Sequence, residues 1–192
     1  MTHKTLSVLG AEHGVLLSIA RLLEAEALRA GRNEPPNLEL VEAIVEYLRD
    51  YPCQFHHPKE ERYLFPALRR HGDEVAAAID RLESDHAAED GLIKALDASI
   101  AGLAATGPAE ASKARQTFAD AARVYASFLE GHVRAEEDRV FPLAARVLTE
   151  TEWTELDGAF LAHADPMLQG EDEHFRQLRL HIAALGAPPF GM

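Results

Sequence analysis

Two stretches of the chain carry the same histidine–glutamate pattern. One begins at His56 and reads His-His-Pro-Lys-Glu-Glu-Arg-Tyr-Leu-Phe-Pro, and the other begins at His132 and reads His-Val-Arg-Ala-Glu-Glu-Asp-Arg-Val-Phe-Pro. Residues four apart on a helix lie on one face, so His56 with Glu60, and His132 with Glu136, can each present an imidazole and a carboxylate to a common point. Because both groups are good ligands for a metal ion, the repeated pattern predicts a metal site.

A second pair of matching positions supplies further imidazoles. Glu12-His13 and Asp85-His86 each place an acid before a histidine near the start of a predicted helix. His13 and His86 then complete a predicted set of four nitrogens and two carboxylates. Six ligands are too many for one tetrahedral zinc ion, and they suit two ions bridged by the carboxylates. Iron or manganese fits such ligands well, with zinc or copper as competitors.

The second repeat decides which of two adjacent histidines is the ligand. Side chains that are neighbours in sequence point roughly 100° apart on a helix, so His56 and His57 are not expected to face the same centre. The second stretch has a histidine only at the position that matches His56. We therefore expect His57 to be exposed or to lie beside the ligands. Phe65 and Phe141, which end the two patterns, are predicted to be core residues that exclude water from the site.

Other acidic residues lie next to the predicted ligands. Glu61 and Glu137 follow the two ligand glutamates, and we expect them to form ion pairs with arginine or lysine. Glu12 and Asp85 have two equally supported interpretations. They either orient the ligand histidines through hydrogen bonds or are solvated residues at a helix start.

Four long amphipathic segments are predicted to position these residues. Apolar residues recur at helical spacing over about residues 6–30, 38–70, 73–105 and 109–147. Clusters of glycine and proline separate the segments, and Pro52, Pro58 and Pro66 predict kinks or a break inside the second. The short links favour an all-α fold, an antiparallel up-down four-helix bundle.

Two shorter helical segments follow the fourth. The first is predicted to be capped by Thr149 or Thr151, and the second to span about residues 171–185. We therefore predict a metal-binding bundle over residues 1–148 and a C-terminal helical extension, packed on the bundle, over residues 149–192.

Composition limits the partners and the location of the protein. The 192 residues carry a net charge of −13, which disfavours nucleic acid and anionic membrane surfaces. The single cysteine, Cys53, excludes an intramolecular disulfide and a thiolate metal cage. No signal peptide and no window of membrane-spanning length is expected, so the chain is predicted to be cytoplasmic.

Taken together, the motifs resemble the hemerythrin-like, histidine–histidine–glutamate (HHE) cation-binding family over roughly residues 6–147. The resemblance implies a non-haem di-iron site in which Glu60 and Glu136 bridge and four histidines are terminal ligands, namely His13, His56, His86 and His132. Oxygen carriers of the marine type have a further histidine four residues after the one at His86. Asp90 stands at that position here, so the chain is similar to the bacterial branch with four histidines and two glutamates.

The resemblance also implies what such a site does. The leading hypothesis is a protein that binds or senses dioxygen, nitric oxide or a related small oxidant at two iron ions. An alternative is a redox enzyme that acts on peroxide or nitric oxide at the same site, and metal storage is another. Repair of iron–sulfur clusters by iron donation is less favoured, because relatives with that role carry an N-terminal cysteine segment and this chain has only Cys53. A protein partner cannot be identified from these residues.

Overall fold

The computed structural model describes residues 3–107, 109–162 and 173–186, and all secondary structure in these residues is helical. The α-helices are α1 Lys4–Gly31, α2 Leu38–Tyr51, α3 His57–Lys59, α4 Phe65–Arg69, α5 Asp73–Ala105, α6 Ala111–Ala135, α7 Phe141–Val147, α8 Glu150–Ala162 and α9 Glu173–Leu185. Three π-helical turns join some of them, at Pro52–His56, Glu60–Leu64 and Glu136–Val140. The four predicted long segments are therefore α1, a continuous run over residues 38–69, α5, and a second continuous run over residues 111–147.

Each π turn ends two residues before a proline. The backbone N–H groups that close the three turns donate to carbonyls five residues earlier, and they belong to His57, Phe65 and Phe141. The residue that follows each of them is a proline, which has no N–H and whose ring would clash with the carbonyl four residues before it. A wider π turn relieves this clash without ending the helix. Of the two predicted alternatives, kinks or a break, the break is therefore wrong, since residues 38–69 stay helical throughout and depart from α-helical geometry only in the π turns.

Two apolar clusters fill the interior, and a band of buried polar residues separates them. The larger cluster includes Leu16, and the smaller one includes Leu9. Between these two leucines of α1 lie Glu12 and His13, both buried. In the other three long runs the polar residues also lie between the two clusters, in the same order as in α1 along α5 and in the reverse order along residues 38–69 and 111–147. Since buried polar groups need partners, the band is where a functional site is expected.

The four long runs pack side by side around these clusters. α1 contacts α2 and α6, and α5 contacts the same two helices. Each run therefore contributes one face to the polar band, which brings residues distant in sequence together.

α1, with 28 residues, is long and apolar enough to cross a membrane by length and composition alone. The expectation that no window approaches a membrane span is therefore wrong. Within the fold, α1 is a core helix that buries Leu16 and Leu23 against its neighbours and also buries Glu12 and His13. Packing inside the protein accounts for its apolar face, and ionisable residues are costly inside a bilayer.

The two C-terminal helices pack on different parts of the long runs. Trp153 of α8 stacks on the ring of His3 with 3.8 Å between ring centroids. Asp157 of α8 accepts a hydrogen bond of 2.9 Å from the backbone N–H of Thr5, so it satisfies a free donor at the start of α1. α9 packs against α2, with Phe175 in the larger apolar cluster. Its predicted first residues, 171 and 172, lie outside the described residues.

A capping box starts α8 and identifies Thr149, rather than Thr151, as the cap. The Thr149 backbone N–H donates to Glu152 Oε2 at 2.8 Å, and the Glu152 N–H donates to Thr149 Oγ1 at 3.3 Å. His71 Nε2 lies 2.9 Å from the other carboxylate oxygen of Glu152. The cap therefore also ties α8 to the link before α5.

Replacing Glu152 with alanine should lower the Tm at pH 7, and the deficit should shrink in acid. Hydrogen bonds from the Thr149 backbone, from His71 and from the Thr149 side chain lower the pKa of Glu152 from 4.5 to about 2. Because the folded-state pKa is depressed, the carboxylate stabilises the fold above pH 4.5, and this contribution is lost as the pH falls towards 2. Thermal melts of the variant and the wild type across this range measure the effect, with the exposed Glu155→Ala as a control. A deficit independent of pH would contradict the role of the charge.

Candidate metal centre

The structure brings the six predicted ligands and one further histidine together in the polar band. A first group has ligand atoms within 4.8 Å of one another and comprises His13, His56, Glu60 and Glu136. The ligand atoms of a second group, His57, His86 and His132, also lie within 4.8 Å of one another. The seven side chains are only 0–9% exposed to solvent. Seven metal-ligating side chains buried side by side have the chemistry of a metal centre rather than of a solvated surface.

The two glutamates lie between the two groups. Glu136 Oε2 is 2.8 Å from His13 Nε2, and its Oε1 is 3.1 Å from His132 Nε2. Glu60 Oε1 is 3.8 Å from His56 Nε2, and its Oε2 is 3.5 Å from His86 Nε2. Each carboxylate therefore directs one oxygen towards each group, which is the placement that bridging of two ions requires.

The repeated Phe-Pro sequence shapes the site from both runs. Glu60 and Glu136 are each the first residue of a π turn, so the α-helical spacing from the preceding histidine is kept up to the glutamate. The wider turn that follows then sets the direction of the phenylalanine. Phe65 stacks on His86 with ring centroids 5.9 Å apart, and Phe141 stacks on His13 at 5.6 Å. Phe65 is buried and Phe141 half-buried, so both shield imidazoles from water, as predicted.

Carboxylates also lie against the outer nitrogens of the four repeated histidines. The Nδ1–oxygen distances are 2.9 Å for His13–Glu137, 2.9 Å for His86–Glu61, 2.8 Å for His56–Glu12 and 3.7 Å for His132–Asp85. The first three are hydrogen bonds, and the fourth is within ion-pair range. Partners of this kind fix the ring orientation and direct Nε2 inwards as a lone pair.

These contacts settle the roles of the neighbouring acidic residues. Glu61 and Glu137 pair with histidines, so the expectation of arginine or lysine partners is wrong. Glu12 is buried and orients His56, which decides between its two interpretations. Lys59, which the sequence analysis did not single out, is buried and also bonded to Glu12.

The inward-facing atoms of the site have no hydrogen-bond partner among the described residues. They include the Nε2 atoms of His13, His56, His86 and His132 and both carboxylate oxygens of Glu60 and Glu136. Buried polar atoms are almost always paired, because leaving them unpaired is costly. Lone pairs of nitrogen and oxygen that face one another at such distances are compatible when a cation lies between them. The residues therefore fit a bound metal pair.

The pKa values of the two glutamates are shifted in opposite directions. Burial raises the pKa of Glu60 well above its ordinary value, and the Glu136 and Glu12 carboxylates beside it add to the effect. Burial also acts to raise the pKa of Glu136, but the His13 and His132 imidazoles lower it well below the ordinary range. Burial lowers the pKa of His56 well below its usual value, which favours the neutral imidazole that binds a metal.

His57 is the candidate ligand that the sequence analysis missed. It is buried, and its ring stacks on that of His86 with centroids 3.8 Å apart, so it is not exposed as one of the two expectations had it. Adjacent histidines do diverge, but His56 joins the first group and His57 the second. In the second stretch of the repeat, the buried Val133 occupies the position that matches His57, so the repeat could not reveal this role. The adjacent His-His pair was the available signal, since a site with two ions can use both rings.

Among the acidic residues that follow His86 on α5, Glu89 faces the site and Asp90 does not. Asp90 lies at the surface and pairs with Lys94. Glu89 is buried, accepts a hydrogen bond of 2.6 Å from the Tyr125 hydroxyl, and lies 3.6 Å from His57 Nε2. Its position three residues after His86, on the same helix face, was the signal in the sequence.

Comparison with known proteins gives the family of the chain. No curated protein matches it significantly. A family model described as the hemerythrin HHE cation binding domain matches residues 4–144, which contain all seven clustered side chains. The match covers more than half of the chain and spans the four long helical runs. The chain therefore belongs to the hemerythrin HHE cation-binding domain family.

Proposed function

We propose that this protein holds two non-haem iron ions and uses them to bind or sense dioxygen, nitric oxide or a related small oxidant. The observation that carries the proposal is the placement of Glu60 and Glu136, each with one oxygen towards each histidine group. Membership of a cation-binding family supports the metal. Imidazole and carboxylate ligands without a thiolate favour iron, with manganese or zinc as alternatives.

The fold in this proposal is an antiparallel up-down four-helix bundle over residues 1–148, with residues 149–192 as a helical extension. The ring of contacts among α1, α2, α5 and α6 supports it. His86 and His132 support it as well. They lie at similar distances along the chain from the short link between α5 and α6, and residues placed in this way meet when the two helices are antiparallel.

The two ions would have unequal protein ligands. His13 and His56 serve one position, whereas His57, His86 and His132 serve the other, and the two glutamates are shared. The position with two imidazoles keeps more coordination sites open, so we expect the exogenous ligand there. Bound iron would supply the capacity to bind and exchange electrons with a small oxidant. The chain's own contribution is to orient the imidazoles, to favour the neutral form of His56, His57 and His86 by burial, which lowers their pKa, and, through Phe65 and Phe141, to limit the access of water.

A redox enzyme acting on peroxide or nitric oxide at the same site is the second candidate. The observation that favours it is the row of buried polar groups that runs from the Tyr125 hydroxyl through Glu89 to His57. Simple ligand binding does not need titratable groups beside the ions, whereas turnover requires proton donors near the ion pair, and this row ends at the position that His57, His86 and His132 serve. Sustained consumption of peroxide or nitric oxide by the iron-loaded protein would distinguish the enzyme from a carrier or sensor.

Metal content is the test of the proposal. After anaerobic loading with iron, mass spectrometry should find about two iron ions in the wild type and a large loss in His56→Ala and in His132→Ala. His181→Ala is the matched control, because His181 is a surface histidine, 47% exposed. Absence of iron in the wild type, or iron unaffected by either site change, would overturn the metal centre. If iron binds but spectra do not change with dioxygen, nitric oxide or peroxide, the oxidant-binding role is wrong while cation binding stands.

A further inference from the structure

A surface groove next to the metal site carries three arginines, although the chain as a whole is acidic. α5 lines one wall with Arg81, and residues 135–146 line the other with Arg139 and Arg146. The groove has a volume of about 750 Å³, and Glu74 is its one acidic lining residue among those described. Positive charge concentrated in a groove of a protein with net charge −13 needs an explanation.

The three arginines differ in whether they have an ion-pair partner among the described residues. Arg81 Nε donates to Asp85 Oδ1 at 3.0 Å, so its charge is already compensated. Arg139 and Arg146 have no ion-pair partner among the described residues, and both are exposed. The groove therefore offers two available guanidinium groups, and these are its recognition elements.

The rest of the groove is apolar. Leu82, Val140 and Leu143 line it together with three alanines and Pro142. Leu82 and Val140 belong to the smaller apolar cluster, so the floor of the groove is the outer surface of the core. An apolar floor beside the guanidinium groups of Arg139 and Arg146 is complementary to a molecule that has an anionic head group and an apolar chain.

We propose that this groove binds a small organic anion of the medium-chain carboxylate type. The carboxylate binds Arg139 and Arg146, because a guanidinium matches a carboxylate with two parallel hydrogen bonds. The hydrocarbon chain lies on the floor formed by Leu82, Val140 and Leu143. The volume is within the range of about 300–1,000 Å³ that small-molecule sites occupy. An inorganic anion would leave the apolar floor uncovered, and a nucleic acid would be repelled by the net charge.

Calorimetric titration of the full-length, iron-loaded protein with decanoate, below its micelle concentration, tests the proposal. We expect saturable binding of decanoate, and binding about tenfold weaker or more for decanol and for decyltrimethylammonium, which keep the chain and lose the negative charge. The double variant Arg139→Gln/Arg146→Gln should lose about tenfold or more in affinity for decanoate. Arg21→Gln, which removes a charge from an exposed position of α1, should bind decanoate as the wild type does.

A second change tests the apolar floor. Ala77 is exposed and lines the groove, so Ala77→Phe should fill the groove without disturbing the core and should reduce decanoate binding. Equal affinity for decanoate and decanol, or wild-type affinity in the double arginine variant, would overturn the proposal. A dimer in sedimentation experiments that the double variant dissociates would overturn it too, because a second copy of the chain would then cover the groove. None of these outcomes depends on the identity of the metal.

Discussion

Replacing Glu136 with alanine should remove both metal ions from the protein. Glu136 contacts His13 at 2.8 Å and His132 at 3.1 Å, so it serves both histidine groups. Loss of an outer partner of a ligand typically costs about 10–100-fold in metal affinity, and loss of a shared ligand should cost more than about 100-fold. Metal content after dialysis against a weak chelator, together with the Tm of the iron-loaded protein, measures the effect.

The neighbour two residues further along provides the matched control. Asp138 is exposed on the same π turn, and Asp138→Ala removes the same charge. This variant should keep the metal content of the wild type. Glu60→Ala should behave like Glu136→Ala, because Glu60 lies between the two groups in the same way. A Glu136→Ala protein that is folded by circular dichroism and still holds both ions would show that the carboxylate does not bridge.

Replacing His57 with alanine should weaken the binding of one ion and spare the other. His57 belongs to the group with His86 and His132, and it has no place in the group of His13 and His56. We expect the affinity for one ion to fall by more than about tenfold, so that a chelator titration separates into two phases. The wild type should release its ions over a narrower range of chelator concentration.

An exposed histidine gives the comparison for this experiment. His174 has a side chain that is 58% exposed, so His174→Ala should release metal as the wild type does. If His57→Ala also matches the wild type, His57 only packs against His86 and the set of six predicted ligands is sufficient. The experiment therefore decides between six and seven protein ligands.

The helices and most of the clustered residues could be predicted from the sequence because both follow local periodicity. His56 with Glu60, and His132 with Glu136, are i and i+4 pairs whose geometry is set within one helix. Their repetition made the pattern distinctive, and the structure brings them together. The predicted break in the second run failed for a local reason as well, because the clash of a proline ring can be relieved by a wider turn.

The partners of the outer carboxylates could not be predicted, because they depend on which helices are neighbours. Glu137 reaches His13 across 124 residues of chain, and Glu61 reaches His86 on another helix. Nothing in the local sequence distinguishes these glutamates from surface residues that pair with arginine. His57 was missed for the opposite reason, because the second stretch of the repeat has Val133 at the matching position, so the repeat predicts only His56 as a ligand.

If the polar band holds the proposed metal ions, their binding is part of the folding of this protein. Without cations, the inward-facing nitrogens and carboxylate oxygens of the middle layer have no hydrogen-bond partner among the described residues, and the two apolar clusters on either side are joined mainly by the helices that run through it. Ions in that layer would crosslink all four long runs, so the halves would become one cooperative unit whose stability rises with metal concentration by mass action. We therefore expect the stability of the chain to follow the supply of the metal, so that a cell that lacks the metal holds a looser protein, which is opened and degraded more readily.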